Sequence, residues 1–228
     1  MSQVKAQTLA NRRVEGRHRE VVEAARRVIV RKGLAETRLR DVAHEGGFTT
    51  GLVTHHFPDK RAVIFGAFAS AWTDWIEGSR STFASAQNPH ELARSLVQVA
   101  VPDSRELRSE WRLWAEMWAY AGGDDEFAGE IFRADTALWE QELCGVVGSL
   151  QRAGLIRSEV VPEIEATIIN RLMDGLGLRA WLTGRWDEAR RHFVMHLASV
   201  GFPDGLVEEL LRPRTEASTT ESTSPDGS

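Results

Sequence analysis

The sequence predicts an all-α protein in which a small N-terminal domain of three helices precedes a larger helical domain. Apolar residues recur at helical spacing through most of the 228 residues. Glycine, proline and hydroxyl residues stand where these helices should begin or end. The alternation of apolar and polar residues that is typical of strands is not sustained anywhere. We therefore predict helices throughout and no sheet.

The composition excludes several classes of protein. Hydrophobic residues make up 42% of the chain, and eight tryptophans are available for a core, which excludes wholesale disorder. No apolar run approaches the roughly 20 residues that a membrane span needs. The N-terminus lacks the apolar segment of a signal peptide, and Cys144 is the sole cysteine. We expect a soluble, cytoplasmic protein without a disulfide and without a cofactor.

The first two helices are marked by their ends. The first is predicted over 17–32, and Gly33 should terminate it, because glycine readily adopts the left-handed conformation found after helix ends. The second is predicted over 38–45, with Thr37 as its N-cap. Two consecutive glycines, Gly46 and Gly47, should then form a tight turn.

The third helix is short, and the fourth is long. Thr49 can cap a helix of about eight residues, which Pro58 ends because the residue before proline avoids helical geometry. Asp59 should open a fourth helix that runs to about Ala86. Beyond it, we predict further helices from Pro89 and over 103–121, 124–153, 162–183, 187–200 and 204–211. The predicted domains are 1–62 and 63–212, followed by a disordered tail over 213–228.

Charge is divided unevenly between the two predicted domains. Residues 1–61 contain 13 lysines and arginines against 7 acidic residues, a net charge of +6. The remaining residues contain 15 basic against 26 acidic residues, a net charge of −11. A basic domain joined to an acidic one is typical of a polyanion-binding module attached to a second unit. A chance drift of surface charge is the plainer alternative.

The second and third helices, with the glycine turn between them, form a predicted helix-turn-helix. In such a motif the last helix enters the major groove of DNA, and its N-terminal residues reach the base edges. The apolar residues of this region can pack on the first helix, which leaves a polar set for solvent or DNA. That set comprises Thr49, Thr50, Gly51, Thr54, His55 and His56.

The stretch TRLRDVAHEGGFTTGLVTHHFPDKRAV resembles the DNA-binding domain of TetR-type repressors. The positions that match the family pattern are Thr37, Val42, Ala43, Gly47, Thr49, Gly51, Val53, His56, Phe57 and Lys60. Three positions depart from it. Phe48 replaces the usual valine, Thr54 stands where a tyrosine is common, and Arg61 replaces an acidic residue. Thr54 therefore removes a phosphate or base contact that is frequent in the family.

The resemblance implies a set of contacts with double-stranded DNA. It adds Arg38 and Lys60 to the polar set of the third helix, with Lys60 on a phosphate, and it implies a basic arm made of Arg12, Arg13 and Arg17. His56 could instead pack beside Phe57. We do not expect His55 and His56 to bind a metal, because neighbours on a helix point about 100° apart and cannot converge on one ion.

The C-terminal domain resembles that of the BetI-type repressors in WRLWAEMWA and RLMDGLGLRAWLTG. The resemblance implies a homodimer and a small-molecule effector. Helix 162–183 carries more apolar residues than one core face needs, so we expect it to form a dimer interface together with helix 187–200. The predicted interface residues are Ile168, Leu172, Leu176, Phe193 and Leu197.

Three tryptophans, Trp111, Trp114 and Trp118, share one face of a predicted helix. They could be ordinary core residues. They could also line an effector pocket, since aromatic faces suit cationic or flat ligands. In that case Glu116 and Asp174 are the candidate counter-charges, and Trp75 on the fourth helix could link the pocket to the DNA-binding domain.

Taken together, these patterns indicate a dimeric repressor that binds a palindromic operator and is released by a cationic or aromatic effector. We find no catalytic residues and no metal site: the sequence shows no nucleophile–base pair, phosphate-binding loop or paired carboxylates. The alternatives are a helical enzyme or metal protein that carries a helix-turn-helix, and an activator with the same fold.

Overall fold

The computed structural model describes residues 2–102, 104–123, 129 and 134–212, with the backbone alone at 2–15, 105, 106, 109 and 134–136. Within these ranges the protein is helical and contains no strand, which confirms the predicted all-α class. The helices are α1 (Ser2–Lys32), α2 (Leu39–Gly46), α3 (Thr50–His56), α4 (Lys60–Ala84), α5 (Pro89–Ala100), α6 (Arg105–Ala121), α7 (Ala134–Arg152), α8 (Pro162–Thr183), α9 (Trp186–Val200) and α10 (Asp204–Leu211).

Two helix boundaries differ from the prediction. The first helix begins at Ser2 rather than at residue 17, so the basic arm is a continuation of α1; the side chains of Arg12 and Arg13 lie outside the described part. Thr37 does not cap α2. Its hydroxyl donates to the Gly33 carbonyl (2.7 Å) and closes the turn after α1, while Arg38 occupies the N-cap position. The predicted tail, 213–228, lies outside the described residues.

The first hydrophobic core joins the N-terminal helices to α6. Val21, Ala25 and Ile29 of α1 pack with the first half of α4, and Leu113 and Met117 of α6 complete this core. Because α6 shares this core, the N-terminal domain is anchored on a helix that follows it by more than 40 residues in sequence. A displacement of α6 therefore acts directly on α1.

The second core fills the C-terminal domain. Trp139, Leu143 and Leu150 of α7 belong to this core together with residues of α5, α8, α9 and α10. The second half of α4 belongs to this core, and Trp72 and Trp75 of α4 contact both cores. One continuous helix therefore runs from the N-terminal domain into the C-terminal domain. Among the described residues, no helix is long and apolar enough to cross a membrane.

Candidate nucleic-acid interface and ligand cavity

The turn between α2 and α3 depends on two adjacent glycines. Gly47 has φ 69°, the left-handed region that favours glycine, and it ends α2. A methyl group on Gly46 would lie 2.1 Å from the ring of Phe48, so the ring packs directly on the α2 backbone. The Phe48 N–H donates to the Ala43 carbonyl (2.8 Å). These contacts fix the direction in which α3 leaves the turn.

Helix α3 has a buried face and an exposed face. Val53 is fully buried, and Phe57, which follows the helix, is nearly so. Thr50, Gly51, Thr54 and His55 are exposed. Seven residues give a helix about 10 Å long, close to the 12 Å width of a DNA major groove. The exposed face therefore has the size and the polar character that a groove-binding helix needs.

The start of α3 is fixed by Thr49. Its Oγ1 accepts a hydrogen bond from the Leu52 N–H (3.2 Å), as predicted for the N-cap. Further along, the Thr54 hydroxyl donates to the carbonyls of Thr50 and Gly51 (3.2 Å each), which leaves its oxygen lone pairs free to accept from DNA. Thr50 and Gly51 lie at the exposed N-terminus, where the helix dipole favours phosphate.

His56 is packed rather than fully presented to solvent. It is half-buried, its ring lies 6.4 Å from that of His18, and the His18 ring packs on Phe57 at 4.3 Å. Burial lowers the pKa of His56, and the neighbouring His55, His18 and Arg17 lower it further. A neutral imidazole in this position agrees with the packing alternative. His55, by contrast, is exposed.

Two of the basic side chains predicted to contact DNA also form contacts within the protein. The Lys60 ammonium, at the start of α4, donates to the Leu34 carbonyl (3.0 Å) and ties α4 to the turn after α1. Arg17 pairs with Glu20 (2.6 Å) and lies over the Phe48 ring at 6.0 Å. Arg38 is exposed at the start of α2. Lys60 and Arg17 therefore lie beside the α2–α3 unit and contribute to its position.

Part of the positive charge of α1 holds α2 in place. Arg27 and Arg31 both pair with Glu45 (2.9 and 2.7 Å), and Lys32 pairs with Asp41 (3.1 Å). The arginines lower the pKa of Glu45, and Lys32 lowers that of Asp41. The net charge counted in the sequence already includes these two acids, so the pairing leaves it unchanged, but three of the basic side chains are engaged within the protein. The residue counts could not predict these ion pairs, because they depend on how α1 and α2 cross.

A cavity of about 730 Å³ lies where the two cores meet. Five tryptophans line it: Trp72 and Trp75 from α4, and Trp111, Trp114 and Trp118 from α6. The Trp72 and Trp75 rings lie 5.3 Å apart, and Trp114 meets both at steep angles, at 6.0 and 6.4 Å. A cavity of this volume can hold a small organic ligand.

The structure brings most of the predicted ligand residues together. Trp75, Trp111, Trp114, Trp118 and Asp174 all line the cavity. Glu116 does not belong to this wall, which corrects its assignment as a counter-charge. It pairs with Arg112 (4.0 Å) and faces Gly33, because it lies about 200° around α6 from Trp114. The sequence analysis missed Trp72, although its spacing from Trp75 places both on one face of α4.

The Asp174 carboxyl stands at the cavity wall without a partner. Asp174 is exposed to solvent, yet the protein atoms around its carboxyl desolvate it enough to raise its pKa to about 6; Arg171 opposes the rise. No hydrogen bond or salt bridge joins Asp174 to the residues that the structure describes. Arg171 itself pairs with Glu140. Asp174 is therefore a carboxylate that a bound cation would stabilise.

A second group of charges at the cavity is fully paired. The Arg26 guanidinium, from α1, contacts Asp74 of α4 and lies 3.3 Å from the Glu110 carboxylate of α6. Burial raises the pKa of Glu110, and Arg26 counteracts this rise. All three residues line the cavity. The sequence analysis missed this cluster, since the three residues are far apart in the chain.

The predicted dimer residues fall into two groups. Ile168 is exposed, and Leu172 and Leu176 are partly buried on α8. Phe193 and Leu197 are fully buried in the core of their own chain, which corrects their assignment to a partner-facing surface. Ile164, Leu182 and Met195 are exposed instead. Helical spacing identified the apolar rows but could not assign each row to the core or the surface.

The described residues contain no group of three or more His, Cys, Asp or Glu side chains that could hold a metal ion. His196, which shares a helix face with His192, lies 2.6 Å from the buried Glu165 carboxylate through its Nε2. This pair joins α8 to α9.

Two family models match the chain. The model of the bacterial regulatory proteins of the TetR family matches residues 21–67, and that of the C-terminal domain of BetI-type transcriptional repressors matches residues 89–200. The transcriptional regulator PksA of Bacillus subtilis is 23% identical over 83% of this chain and 92% of its own length. The regulator BetI of Burkholderia mallei is 23% identical over 88% of this chain and 96% of its own length.

Solved structures share the fold. A protein from Saccharomonospora viridis, described as a transcriptional regulator and crystallised with choline, superimposes with a TM-score of 0.70 at 23% identity, over 79% of this chain and 95% of its own. A TetR transcription regulator from Haloarcula marismortui superimposes with a TM-score of 0.71 at 17% identity, over 82% of this chain and 98% of its own. The fold of about four fifths of this chain is thus common to these proteins.

Proposed function

The chain belongs to the TetR family of bacterial transcriptional regulators, which bind DNA through a helix-turn-helix, and we propose that it is a ligand-responsive repressor. A homodimer binds a palindromic operator in double-stranded DNA through its two α3 helices. An organic cation that enters the tryptophan-lined cavity then releases the DNA.

The exposed face of α3 supports the operator contacts. Thr50 and Gly51 are small and exposed at the helix N-terminus, so the backbone can approach a phosphate or a base edge closely. Thr54 and His55 continue this face toward the end of the helix. Arg38, at the start of α2, is exposed beside it. We assign the backbone contacts to Arg38 and Lys60 and the base contacts to the α3 face.

The exposed apolar side chains of α8 and α9 support the homodimer. Ile164, Ile168 and Leu182 follow one side of α8, and Met195 is exposed on α9. A two-fold axis through this surface pairs α8 and α9 with their copies in a four-helix interface. Ile168→Glu should yield a monomer in sedimentation, because it buries a charge at the interface. Leu138→Glu, at an exposed apolar position on α7, should leave the dimer intact.

The unpaired Asp174 carboxyl is the observation that carries the assignment of a cationic effector. It lies in a cavity lined by five tryptophans, whose ring faces attract a desolvated cation. The relative of known structure that was crystallised with choline supports the same chemistry, since choline is a quaternary ammonium ion. An organic monocation with an ammonium head is therefore the effector class that we propose.

A release assay tests this function. A duplex that the protein binds is titrated with choline, tetramethylammonium and the uncharged isostere of choline, 3,3-dimethylbutanol. The proposal predicts that a cation lowers the affinity for DNA and that the uncharged compound does not. Release by the neutral compound alone would contradict the cationic assignment. Transcript levels in a deletion strain separate repression, in which the target transcripts rise, from activation, in which they fall.

A further inference from the structure

The guanidinium of Arg26 connects the N-terminal domain to the cavity. Its side chain is only 15% exposed, and it contacts Asp74 on α4 and Glu110 on α6 (3.3 Å). Arg26 belongs to α1, which packs against α2, whereas Asp74 and Glu110 belong to the cavity wall. An arginine of the DNA-binding domain thus stands with its cation inside a ligand-binding cavity.

The two carboxylates that pair with Arg26 are open to solvent, so that another cation can replace the guanidinium. The Asp74 side chain is 59% exposed and that of Glu110 is 36% exposed, so solutes in the cavity can reach both carboxylates. Trp114, one turn along α6 from Glu110, and Trp118, one turn further, line the same cavity, and indole rings can contribute to holding a cation. A pair of accessible carboxylates beside aromatic rings has the chemistry of a site for an organic cation.

We propose that Asp74 and Glu110 form a cation subsite that Arg26 fills in the ligand-free protein, and that an organic monocation binds there by displacing the Arg26 guanidinium. This subsite is separate from the Asp174 carboxyl, which Arg26 does not contact. The displaced guanidinium gives up its ion pairs with α4 and α6, and this loss shifts the position of α1 and of the DNA-binding domain to which it belongs. The link to DNA rests on the function proposed above, whereas the cation subsite does not.

The contacts between α1 and α6 show what the displacement would alter. At the end of α1, the Arg112 guanidinium of α6 donates to the Arg31 carbonyl (3.0 Å). Gly33 lies so close to α6 that a methyl group there would come within 2.7 Å of the Glu116 carboxylate. The Arg26 cluster and the Arg112–Arg31 hydrogen bond are both polar ties between α1 and α6. After the loss of the Arg26 cluster, the hydrophobic core and the Arg112–Arg31 hydrogen bond remain to hold α1 on α6.

Binding of ethylguanidinium, which copies the head group of Arg26, tests the subsite. Tryptophan fluorescence follows the titration, and neutral ethylurea serves as the control ligand. Arg26→Ala should bind ethylguanidinium about tenfold or more tightly than the wild type, because the internal competitor is gone. Arg26→Lys retains the competing cation and should stay near the wild-type affinity. Circular dichroism and thermal unfolding establish that each variant is folded.

Further variants locate the bound cation. In the Arg26→Ala background, the double change Asp74→Asn and Glu110→Gln should abolish the binding of ethylguanidinium. Asp174→Asn in the same background should change the affinity for ethylguanidinium by no more than about threefold, since additive effects are expected for separate sites. Equal affinity in the wild type and Arg26→Ala would overturn the displacement. Loss of binding in the Asp174→Asn variant alone would place the cation at Asp174 and overturn the subsite.

DNA affinity then separates this inference from the proposed function. In the wild type, saturating ethylguanidinium should lower the affinity for DNA. The Arg26→Ala variant should bind ethylguanidinium more tightly, but its affinity for DNA should not change when ethylguanidinium is added. If ethylguanidinium lowered the DNA affinity of Arg26→Ala as much as that of the wild type, the role of Arg26 would be overturned. The proposal that a cation releases the repressor from DNA would stand. If no cation releases DNA from the wild type, the proposed function fails, and the fluorescence titration still decides the subsite.

Discussion

The indole ring of Trp111 lies directly on the backbone of Gly177, so closely that a methyl group on Gly177 would come within 1.9 Å of the ring. Trp111 lines the ligand cavity from α6, and Gly177 belongs to α8. The pair therefore fixes one wall of the cavity by bringing a bulky ring against a bare helix backbone. A glycine here allows the close approach of α6 and α8 that the cavity requires.

Gly177→Ala should destabilise the protein and disturb the cavity. The methyl group must displace a rigid ring, and such overpacking costs about 1–3 kcal/mol. Urea unfolding measures the loss, and cation titration followed by tryptophan fluorescence measures the effect on the cavity. The control is Gly145→Ala on α7, where a methyl group meets nothing within 4 Å. That change should stabilise the helix by about 0.5–1 kcal/mol. Equal stability of the two variants would disprove this account of Trp111.

Asp174→Asn should stabilise the folded protein at neutral pH but not in acid. Burial raises the pKa of Asp174 in the folded state from its ordinary value of 3.8 to about 6, so folding favours the protonated carboxyl. The stability that this preference contributes is fully present below about pH 3.8 and is lost as the pH rises through about 6. Asparagine does not ionise and therefore avoids the loss.

Thermal unfolding at pH 4 and pH 7.5 measures the difference between Asp174→Asn and the wild type. The variant should gain stability relative to the wild type at the higher pH, and the gain should shrink toward zero at the lower pH. Glu23→Gln, which changes a carboxyl of α1 outside the cavity, serves as the control. A constant difference at both pH values would mean that Asp174 does not titrate as assigned.

Thr49 and Thr50 are neighbours with different expected roles. Thr49→Ala removes the hydrogen bond from the Leu52 N–H and should cost about 1 kcal/mol of stability, as the loss of an N-cap does. Thr50→Ala should leave unfolding nearly unchanged but alter the preference among DNA sequences, because its side chain is exposed on the α3 face. Competition binding with a set of single-base variants measures the preference. A uniform loss on every duplex would assign Thr50 to the DNA backbone instead.

Lys60→Ala should weaken binding to all duplexes to a similar extent. If the ammonium contacts a phosphate, its removal should reduce the slope of log affinity against log salt by about one. The same ammonium donates to the Leu34 carbonyl in the free protein (3.0 Å), so thermal unfolding must accompany the binding assay. Lys60→Arg retains the charge and should keep the salt slope. Loss of sequence discrimination with an unchanged slope would contradict the phosphate contact.

Local signals in the sequence predicted most of the helices. The cap at Thr49 and the left-handed Gly33 and Gly47 depend on neighbouring residues, and the structure agrees with each. Two exceptions have physical causes. Thr37 bonds back to Gly33 instead of capping α2, and the helical spacing that gathers Trp111, Trp114 and Trp118 directs Glu116 away from them. The second exception could have been found from the sequence by applying the helical period to Glu116.

The remaining features depend on how helices pack, which the sequence did not reveal. A row of apolar residues at helical spacing can face its own core or a partner, and Phe193 and Leu197 are in the core. The Arg26 cluster joins residues on α1, α4 and α6, so it exists only when the three helices meet. The cavity itself follows from the packing of α4, α6 and α8, and no single segment predicts it.

The central claim is that two copies of α3 bind one DNA duplex as a two-fold unit, and selection from random duplexes tests it most directly. After several rounds with the purified protein at low salt, we predict enrichment of an inverted repeat. Its half-sites should be spaced by about one helical turn of DNA, 10–10.5 base pairs, or by a multiple of this distance. Enrichment of no sequence, or of a single asymmetric site bound by one protein chain, would contradict the claim.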